Sequence, residues 1–101
     1  MRIVFMGTPQ FAVPSLQSLA AAFHVVGVVT RPDRPAGRGR SLRPPPVRVA
    51  AEELGLPCLQ PARVSRPESL KALRAWDPEV IIVAAFGEIL SREVLDLPPL
   101  G

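Results

Sequence analysis

Five arginines and no lysine lie in the stretch "TRPDRPAGRGRSLRPPP", residues 30–46, which we call the Arg/Pro segment. Residues 31–46 hold these five arginines and one aspartate, a charge of +4, so the rest of the chain carries −1 of the formal net charge of +3. Guanidinium groups are planar and bind phosphate oxygens through paired hydrogen bonds. The clustering therefore favours contact with nucleic-acid phosphates.

The Arg/Pro segment has a second interpretation as an inert, solvated linker. Loops within βα units usually have only about two to six residues, which makes a linker of this length uncommon. The segment contains no aromatic side chain, so base stacking is not its expected mode of contact. Phosphate contact, or a wedge at the end of a nucleic-acid helix, is the favoured mode.

Two short loops could bind a ligand through backbone groups: "GTPQF" at Gly7–Phe11 and "FGEIL" at Phe86–Leu90. The first lacks the GxGxxG pattern of dinucleotide sites, and Pro9 has no N–H for a phosphate. Its alternative interpretation is a tight turn that needs Gly7 for its backbone angles. In the second loop, backbone amides and carbonyls could bind a flat heterocycle while Glu88 faces solvent, and a plain turn is the alternative.

The remaining candidate reactive side chains are interpreted as structural. His24, the only histidine, begins a predicted strand whose far end faces the site, roughly 20 Å away. Cys58, the only cysteine, is interpreted as a small buried apolar side chain. No nucleophile with a base and no metal-ligand cluster can be assembled. Because the chain lacks a signal-peptide pattern and an apolar run of about 18 residues, we expect a cytoplasmic protein without a membrane anchor.

An alternation of strands and helices must position these residues. The predicted strands are residues 2–6, 24–30, 58–60 and 79–86, and the first two predicted helices are residues 14–22 and 47–54. A capping box of Ser65 and Glu68 opens a third helix, in which Leu70, Leu73 and Trp76 share a face. The alternation predicts an α/β fold with a Rossmann-like, doubly wound parallel sheet of strand order 3-2-1-4.

This strand order brings the two loops together. Doubly wound sheets bind ligands at the carboxyl ends of their strands where the order reverses, which here is between the first and fourth strands. The Arg/Pro segment leaves the second strand, beside that crevice. The fourth strand is apolar at nearly every position, which is typical of a strand buried on both faces and paired on both edges. We therefore expect the sheet to be incomplete, with a further strand after Gly101.

Together these stretches resemble the methionyl-tRNA formyltransferase family over essentially the whole chain. The matching stretches are "RIVFMGTPQFAVPSL", "VVGVVTRPDRPAGRGRSLRPPPV", "AAEELGLPCLQP", and "DPEVIIVAAFGEIL" leading to "LPPLG". The Arg/Pro segment is the most specific part, because other folate-dependent formyltransferases share the sheet but lack this insertion. The resemblance implies formyl transfer from 10-formyltetrahydrofolate to the α-amino group of methionyl-initiator tRNA, without a metal.

The resemblance also implies roles for individual residues. A loop that begins at Phe86, where many members have tyrosine, holds the pterin mostly through backbone groups. Phe11 matches a residue that lines the methionine pocket, and Arg38 matches an arginine needed for recognition of initiator tRNA. The expected site residues are Phe86, Gly87, Glu88, Ile89 and Leu90 for folate, Phe11 for methionine, Arg34, Arg38, Arg40 and Arg43 for tRNA, and, from the topology, Gly7, Thr8 and Pro9 in the switch-point loop.

The family's catalytic Asn, His and Asp all follow the residue that matches Gly101. The resemblance thus implies that residues 1–101 are the amino-terminal part of a folate-dependent formyltransferase domain. The remainder of that domain and a carboxy-terminal tRNA-binding domain would be absent from this chain. We expect the 101-residue chain to be inactive alone and the complete enzyme to be a monomer.

Two alternative functions stay open. One is a formyltransferase or hydrolase of the same fold that acts on a small molecule such as an amino sugar or glycine amide ribonucleotide. The other is a non-catalytic nucleic-acid-binding module whose sheet displays the Arg/Pro segment. An Asn-x-His shortly after Gly101 would favour an enzyme over the module.

Overall fold

The computed structural model describes residues 1–36, 41–86, 94 and 96–98. Six strands and three α-helices lie in this part of the chain. In chain order they are β1 (Arg2–Gly7), α1 (Val13–Ala22), β2 (His24–Val29), β3 (Arg34–Ala36), β4 (Ser41–Arg43), α2 (Pro46–Glu53), β5 (Cys58–Leu59), α3 (Pro67–Trp76) and β6 (Val80–Ala84), with a 3₁₀ turn at Gln10–Ala12 before α1. None of these helices is long and apolar enough to cross a membrane.

Four of the strands form a parallel sheet in the order β5-β2-β1-β6. These are the third, second, first and fourth strands predicted from the sequence, so the predicted strand order is confirmed. β1 lies inside the sheet and pairs with β2 on one edge and β6 on the other. Parallel neighbours need a crossover that runs back along a face of the sheet, and the helices supply it.

Helices cover both faces of this sheet. α1 and α2 pack on one face, over a core that includes Phe5, Leu16 and Val47. α3 packs on the other face, where Met6 and Leu73 are buried. Successive side chains of a strand point to opposite faces, so the continuous apolar run of β1 serves both cores.

β3 and β4 form a separate antiparallel pair inside the Arg/Pro segment. The sequence predicted no strand there, because clustered proline and glycine are typical of loops. Proline is tolerated in edge strands, and both strands of a two-stranded sheet are edge strands. Residues 37–40, which join the two strands, lie outside the described part of the chain.

Helix α3 begins later than the capping-box prediction implies. Arg66 precedes the helix in an extended conformation without a side-chain cap, and Pro67 takes the first helical position. Proline suits that position because its φ is already near the helical value and its missing N–H would have had no partner. The capping-box prediction for Ser65 and Glu68 is therefore wrong.

β6 is less buried than the sequence predicted. Its residues are mostly half-buried, and Val83 exposes 46% of its surface. The described helices pack chiefly over the other strands, so apolar residues on β6 are only partly covered. One edge of β6 pairs with β1, and no other described strand pairs with the opposite edge. A further strand after Gly101 stays a prediction.

The face of α3 meets β2 at a glycine. Leu70 and Leu73 are buried and Trp76 packs beside them, which confirms the predicted face. The indole lies directly over Gly27, because a Cβ built there would be 2.5 Å from Trp76 Cδ2, Cε2 and Cε3. Real Cβ atoms do not approach this closely, so Gly27 is required for the space that Trp76 occupies.

Replacing Gly27 with alanine is expected to lower the free energy of unfolding by about 1–3 kcal/mol, because an added methyl group overpacks a filled core. Urea titration measures this cost. Trp76→Leu provides the matched background, since its smaller side chain relieves the contact and should reduce the added cost of Gly27→Ala. An equal cost of Gly27→Ala in both backgrounds would contradict the proposed packing.

Candidate functional site

The carboxyl ends of three neighbouring strands meet at one edge of the sheet. Thr8 follows β1, Thr30 follows β2, and Phe86 lies shortly after β6. The strand order reverses between β1 and β6 at this edge, which is where doubly wound sheets bind ligands. The structure thus brings the start of the predicted folate loop beside the switch-point loop, whereas residues 87–90 lie outside the described part of the chain.

The hydroxyl of Thr8 links these strand ends. It donates a hydrogen bond to the carbonyl oxygen of Phe86 at 2.8 Å. It accepts hydrogen bonds from the Thr30 hydroxyl and the Arg31 backbone N–H, each at 3.4 Å. A hydroxyl has one donor and two acceptor positions, so all three are used. Thr30 is fully buried and needs a polar partner of this kind.

A cleft of about 420 Å³ opens at this edge of the sheet. Its volume lies within the range of about 300–1,000 Å³ that is typical of small-molecule sites. Thr8 and Pro9 of the switch-point loop line it, together with Ala85 and Phe86 after β6. The Arg/Pro segment provides the rest of the lining. The cleft therefore joins the three features that the sequence singled out.

Arg31, Arg34 and Arg43 contribute the positive charge of the cleft. Arg31 is half-buried, whereas Arg34 and Arg43 are exposed. Proline residues of the same segment supply apolar surface beside them. This combination suits a ligand with an anionic group and an apolar body. Arg38 and Arg40, also predicted to contact tRNA, lie outside the described residues.

Gln60 fixes the start of the Arg/Pro segment. Its side-chain amide donates to the carbonyl oxygen of Arg31 at 3.1 Å and to Asp33 Oδ1 at 2.6 Å. Its amide oxygen accepts from the Arg48 guanidinium, which also pairs with Glu52 at 2.8 Å. Sequence reasoning missed Gln60, because its one local signal was its position at the end of the third predicted strand.

Gly7 is required for close packing. A Cβ at this position would lie 2.8 Å from Phe5 Cε2 and 2.9 Å from the carbonyl oxygen of Ala84. Among the described glycines, only Gly55 has a positive φ. The interpretation that Gly7 is needed for its backbone angles is therefore wrong, and the close approach of β1 to β6 is the physical reason for a glycine.

The chain turns sharply as it leaves β6. Ala85 has a φ of 56°, in the left-handed region, which costs a residue with a Cβ about 1–2 kcal/mol. Ala85 is exposed, while the next side chain, Phe86, is buried. Strained backbone of this kind concentrates at binding sites. The buried ring of Phe86 and its bond to Thr8 thus hold the start of the predicted folate loop.

Phe11 does not join the cleft. It lies on the 3₁₀ turn between β1 and α1 and exposes 73% of its surface. The residues that line the cleft do not include it. Phe11 therefore lies outside the lining of this cleft, and its role in a methionine pocket stays a prediction.

His24 and Cys58 are not part of the cleft lining. His24 is exposed. Its backbone lies opposite that of Arg2 in the β1–β2 register, at the amino-terminal ends of both strands. Cys58 is half-buried and packs against the core beneath α1 and α2. Burial raises the pKa of the Cys58 thiol to about 11, with Arg48 acting in the opposite direction. The described residues hold no group of three His, Cys, Asp or Glu side chains placed to bind a metal ion.

Replacing Thr8 with valine is expected to lower the free energy of unfolding by about 1–3 kcal/mol, because buried polar groups at three strand ends lose their shared partner. Thr8→Ser keeps the hydroxyl and is the matched control. Its missing methyl group is expected to cost about 1 kcal/mol or less. Urea titration compares the two variants, and equal stabilities would contradict the role assigned to the hydroxyl.

The Cys58 thiol is expected to react with iodoacetamide about a hundredfold more slowly in the folded than in the unfolded protein at pH 8. A pKa near 11 in place of the ordinary 9.0 leaves about a hundredfold less thiolate, which is the reactive form. The rate should rise about tenfold per pH unit and level off near pH 11. A plateau at or below pH 9 in the folded protein would be the contrary result.

Comparison with known proteins agrees with this geometry. Residues 1–101 match the family model described as formyl transferase. The methionyl-tRNA formyltransferases of Chloroflexus aggregans and Moorella thermoacetica are each 59% identical to the chain over 102 residues. Both matches cover all of this chain and 33% of the relative. The chain thus spans about one third of the length of these relatives.

A solved structure shares the fold at low sequence identity. Glycinamide ribonucleotide transformylase 1 from Symbiobacterium toebii matches 98% of this chain and 48% of its own, with a TM-score of 0.64 and 14% identity. At this identity the likeness concerns the fold alone, and it agrees with the Rossmann-like class predicted from the sequence. Because the family model matches every residue from 1 to 101, the chain belongs to the formyl transferase family.

Proposed function

We propose that the full-length protein transfers a formyl group from 10-formyltetrahydrofolate to the α-amino group of methionyl-initiator tRNA. Membership of the formyl transferase family supports the reaction type. The observation that carries the choice of acceptor is the 59% identity to methionyl-tRNA formyltransferases over the whole chain, the Arg/Pro segment included. These substrates are found in the cytoplasm, where we expect the enzyme to act.

The cleft beside Phe86 suits the donor. Its volume of about 420 Å³ and its apolar proline and alanine surfaces fit a flat pterin ring. The carbonyl oxygen of Phe86 has two lone pairs, of which the Thr8 hydroxyl uses one, so the second can accept from a heterocycle. We assign pterin binding to the backbone of the loop Phe86–Leu90.

The Arg/Pro segment suits the acceptor. Its arginines attract the phosphates of an RNA at long range, because residues 31–46 carry the chain's whole excess of positive charge. We assign recognition of initiator tRNA to Arg38, with Arg34, Arg40 and Arg43 contributing. Phe11 exposes its ring beside the switch-point loop, and we assign it to the methionine side chain.

The reaction requires that the two substrates are oriented, that negative charge on the formyl oxygen is stabilised and that a proton is transferred. The α-amino nitrogen attacks the formyl carbon, the formyl oxygen becomes an oxyanion, and collapse breaks the bond to N10 of the folate. The proton that the amine loses ends on N10. A hydrogen-bond donor must stabilise the oxyanion and a base must move the proton. We assign these tasks to the Asn, His and Asp that the family carries after the position of Gly101, and substrate orientation to the cleft.

A formylation assay tests the proposal. Full-length protein incubated with 10-formyltetrahydrofolate and methionyl-initiator tRNA is expected to produce formylmethionyl-tRNA. Glycinamide ribonucleotide as the acceptor is expected to give no product. Formylation of the ribonucleotide in place of the tRNA would overturn the assignment, and tRNA binding without formylation of either acceptor would favour the non-catalytic module.

Arg38→Ala is expected to lower kcat/KM for methionyl-initiator tRNA about 10- to 100-fold, the effect of losing one charge-assisted hydrogen bond. The KM for the folate donor should not change, because the variant removes an acceptor contact. Arg66→Ala is the matched control, since Arg66 is an exposed arginine that precedes α3. Wild-type formylation by the Arg38 variant would refute this assignment.

A further inference from the structure

We propose that Arg34 and Arg43 form a clamp that binds one phosphodiester group of the RNA substrate at the cleft. The proposal rests on the proposed function, because it takes the acceptor to be a tRNA. The two residues become neighbours only because the Arg/Pro segment folds into a hairpin.

The register of the hairpin carries the inference. β3 and β4 pair antiparallel with Arg34 directly opposite Arg43. Residues in that relation project from the same face, with Cβ atoms about 4.5–5.5 Å apart. Two arginine side chains therefore start from neighbouring positions on one face of the hairpin. Like charges directly opposite each other destabilise a strand pair, and an anion between them would remove that repulsion.

The described part of the chain provides no such anion. Neither Arg34 nor Arg43 forms a salt bridge or a side-chain hydrogen bond with a described residue. Asp33, the neighbour of Arg34 in sequence, is instead engaged by Gln60 Nε2 at 2.6 Å. Both arginine side chains are exposed and both line the cleft. A ligand can therefore reach the pair from solvent.

The hairpin is anchored at both ends. On the β2 side, the Arg31 N–H donates to the Thr8 hydroxyl, and Gln60 holds the Arg31 carbonyl oxygen. On the α2 side, the Val47 N–H donates to the carbonyl oxygen of Thr8 at 3.4 Å. Proline residues between β4 and α2 further restrict the backbone. The main chain that enters β3 and the main chain that leaves β4 are therefore held before a ligand binds, which favours affinity.

The distribution of charge favours a polyanion over a small anion. Residues 31–46 carry +4, more than one phosphate would neutralise. The segment has no aromatic side chain on which a base could stack, so contact with the sugar–phosphate backbone is the mode that this surface offers. A phosphodiester presents two non-bridging oxygens, which match the paired donors of guanidinium.

Binding of deacylated initiator tRNA to the full-length protein, measured over a series of salt concentrations, tests the clamp. The logarithm of the affinity falls linearly as the logarithm of the salt concentration rises, and the magnitude of the slope is about 0.7–0.9 per neutralised phosphate. Arg34→Gln and Arg43→Gln are each expected to reduce the slope by about that amount and to weaken binding about tenfold at low salt. Arg66→Gln, outside the cleft, is the control and should bind like the wild type.

The double variant R34Q/R43Q distinguishes one shared phosphate from two separate ones. If the clamp needs both arginines, the salt-dependence slope of the double variant should be reduced no further than the slope of either single variant. A reduction of about twice the single value would mean two independent contacts and would overturn the clamp. An unchanged slope in either single variant would overturn it as well.

Arg43→Glu separates binding from folding. Opposite charges across an antiparallel pair are stabilising, so this variant should keep or raise the melting temperature while binding tRNA more weakly than Arg43→Gln. Wild-type affinity in the glutamate variant would overturn the proposal. A lower melting temperature would do the same, since it would mean that the arginine pair supports the hairpin rather than opposes it.

Two further measurements identify the source of the anion and separate this proposal from the proposed function. The first compares the affinity of the wild type and R34Q/R43Q for inorganic phosphate and for the folate donor. If either small anion binds more tightly to the wild type while tRNA affinity is the same in both proteins, the two arginines form a small-anion site and the clamp is overturned. Formylation is measured on the same preparations. If the wild type formylates methionyl-tRNA but both glutamine variants bind like Arg66→Gln, the clamp alone fails. If the wild type does not formylate, the proposed function fails.

Discussion

The hydroxyl of Thr8 lies where the ends of β1, β2 and β6 meet, and its donor and both acceptor positions are occupied. The carbonyl oxygen of the same residue accepts from Val47 at the start of α2. One residue thus connects the Phe86 side of the cleft with both ends of the Arg/Pro segment. Because these bonds are shared, the two sides of the cleft cannot be displaced independently. The relative position of the two sides of the cleft is therefore set at the sheet edge.

The Arg/Pro segment depends on this anchoring because most of its residues whose burial the structure describes are exposed or half-buried. Fixing a residue of backbone costs about 1–2 kcal/mol of conformational entropy. Proline lowers that cost by restricting the unfolded chain, and Gln60 adds hydrogen bonds at the base of the hairpin. The opposed Arg34 and Arg43 act against folding.

Sequence patterns predicted the sheet because hydrophobic periodicity reports which side chains a strand or helix buries. Leu70, Leu73 and Trp76 pack as predicted for that reason. The contacts that were missed all depend on residues distant in sequence. Gly7 is small because Ala84 of β6 approaches it, and Gln60 matters because the Arg/Pro segment returns to it. The capping-box prediction failed because Pro67, two residues after Ser65, is a stronger helix start.

The shared fold does not determine which ligand the cleft binds. This chain and the transformylase of Symbiobacterium toebii superimpose over nearly the whole chain at 14% identity, so the strand order survives extensive change in sequence. Such a widely shared fold determines where a ligand cleft opens, which is at the strand ends around Thr8. It does not determine which ligand enters the cleft. What enters the cleft depends on the side chains that line it. Among these side chains are Arg34 and Arg43, whose charge is readable from the sequence, whereas their opposition across the β3–β4 pair required the register.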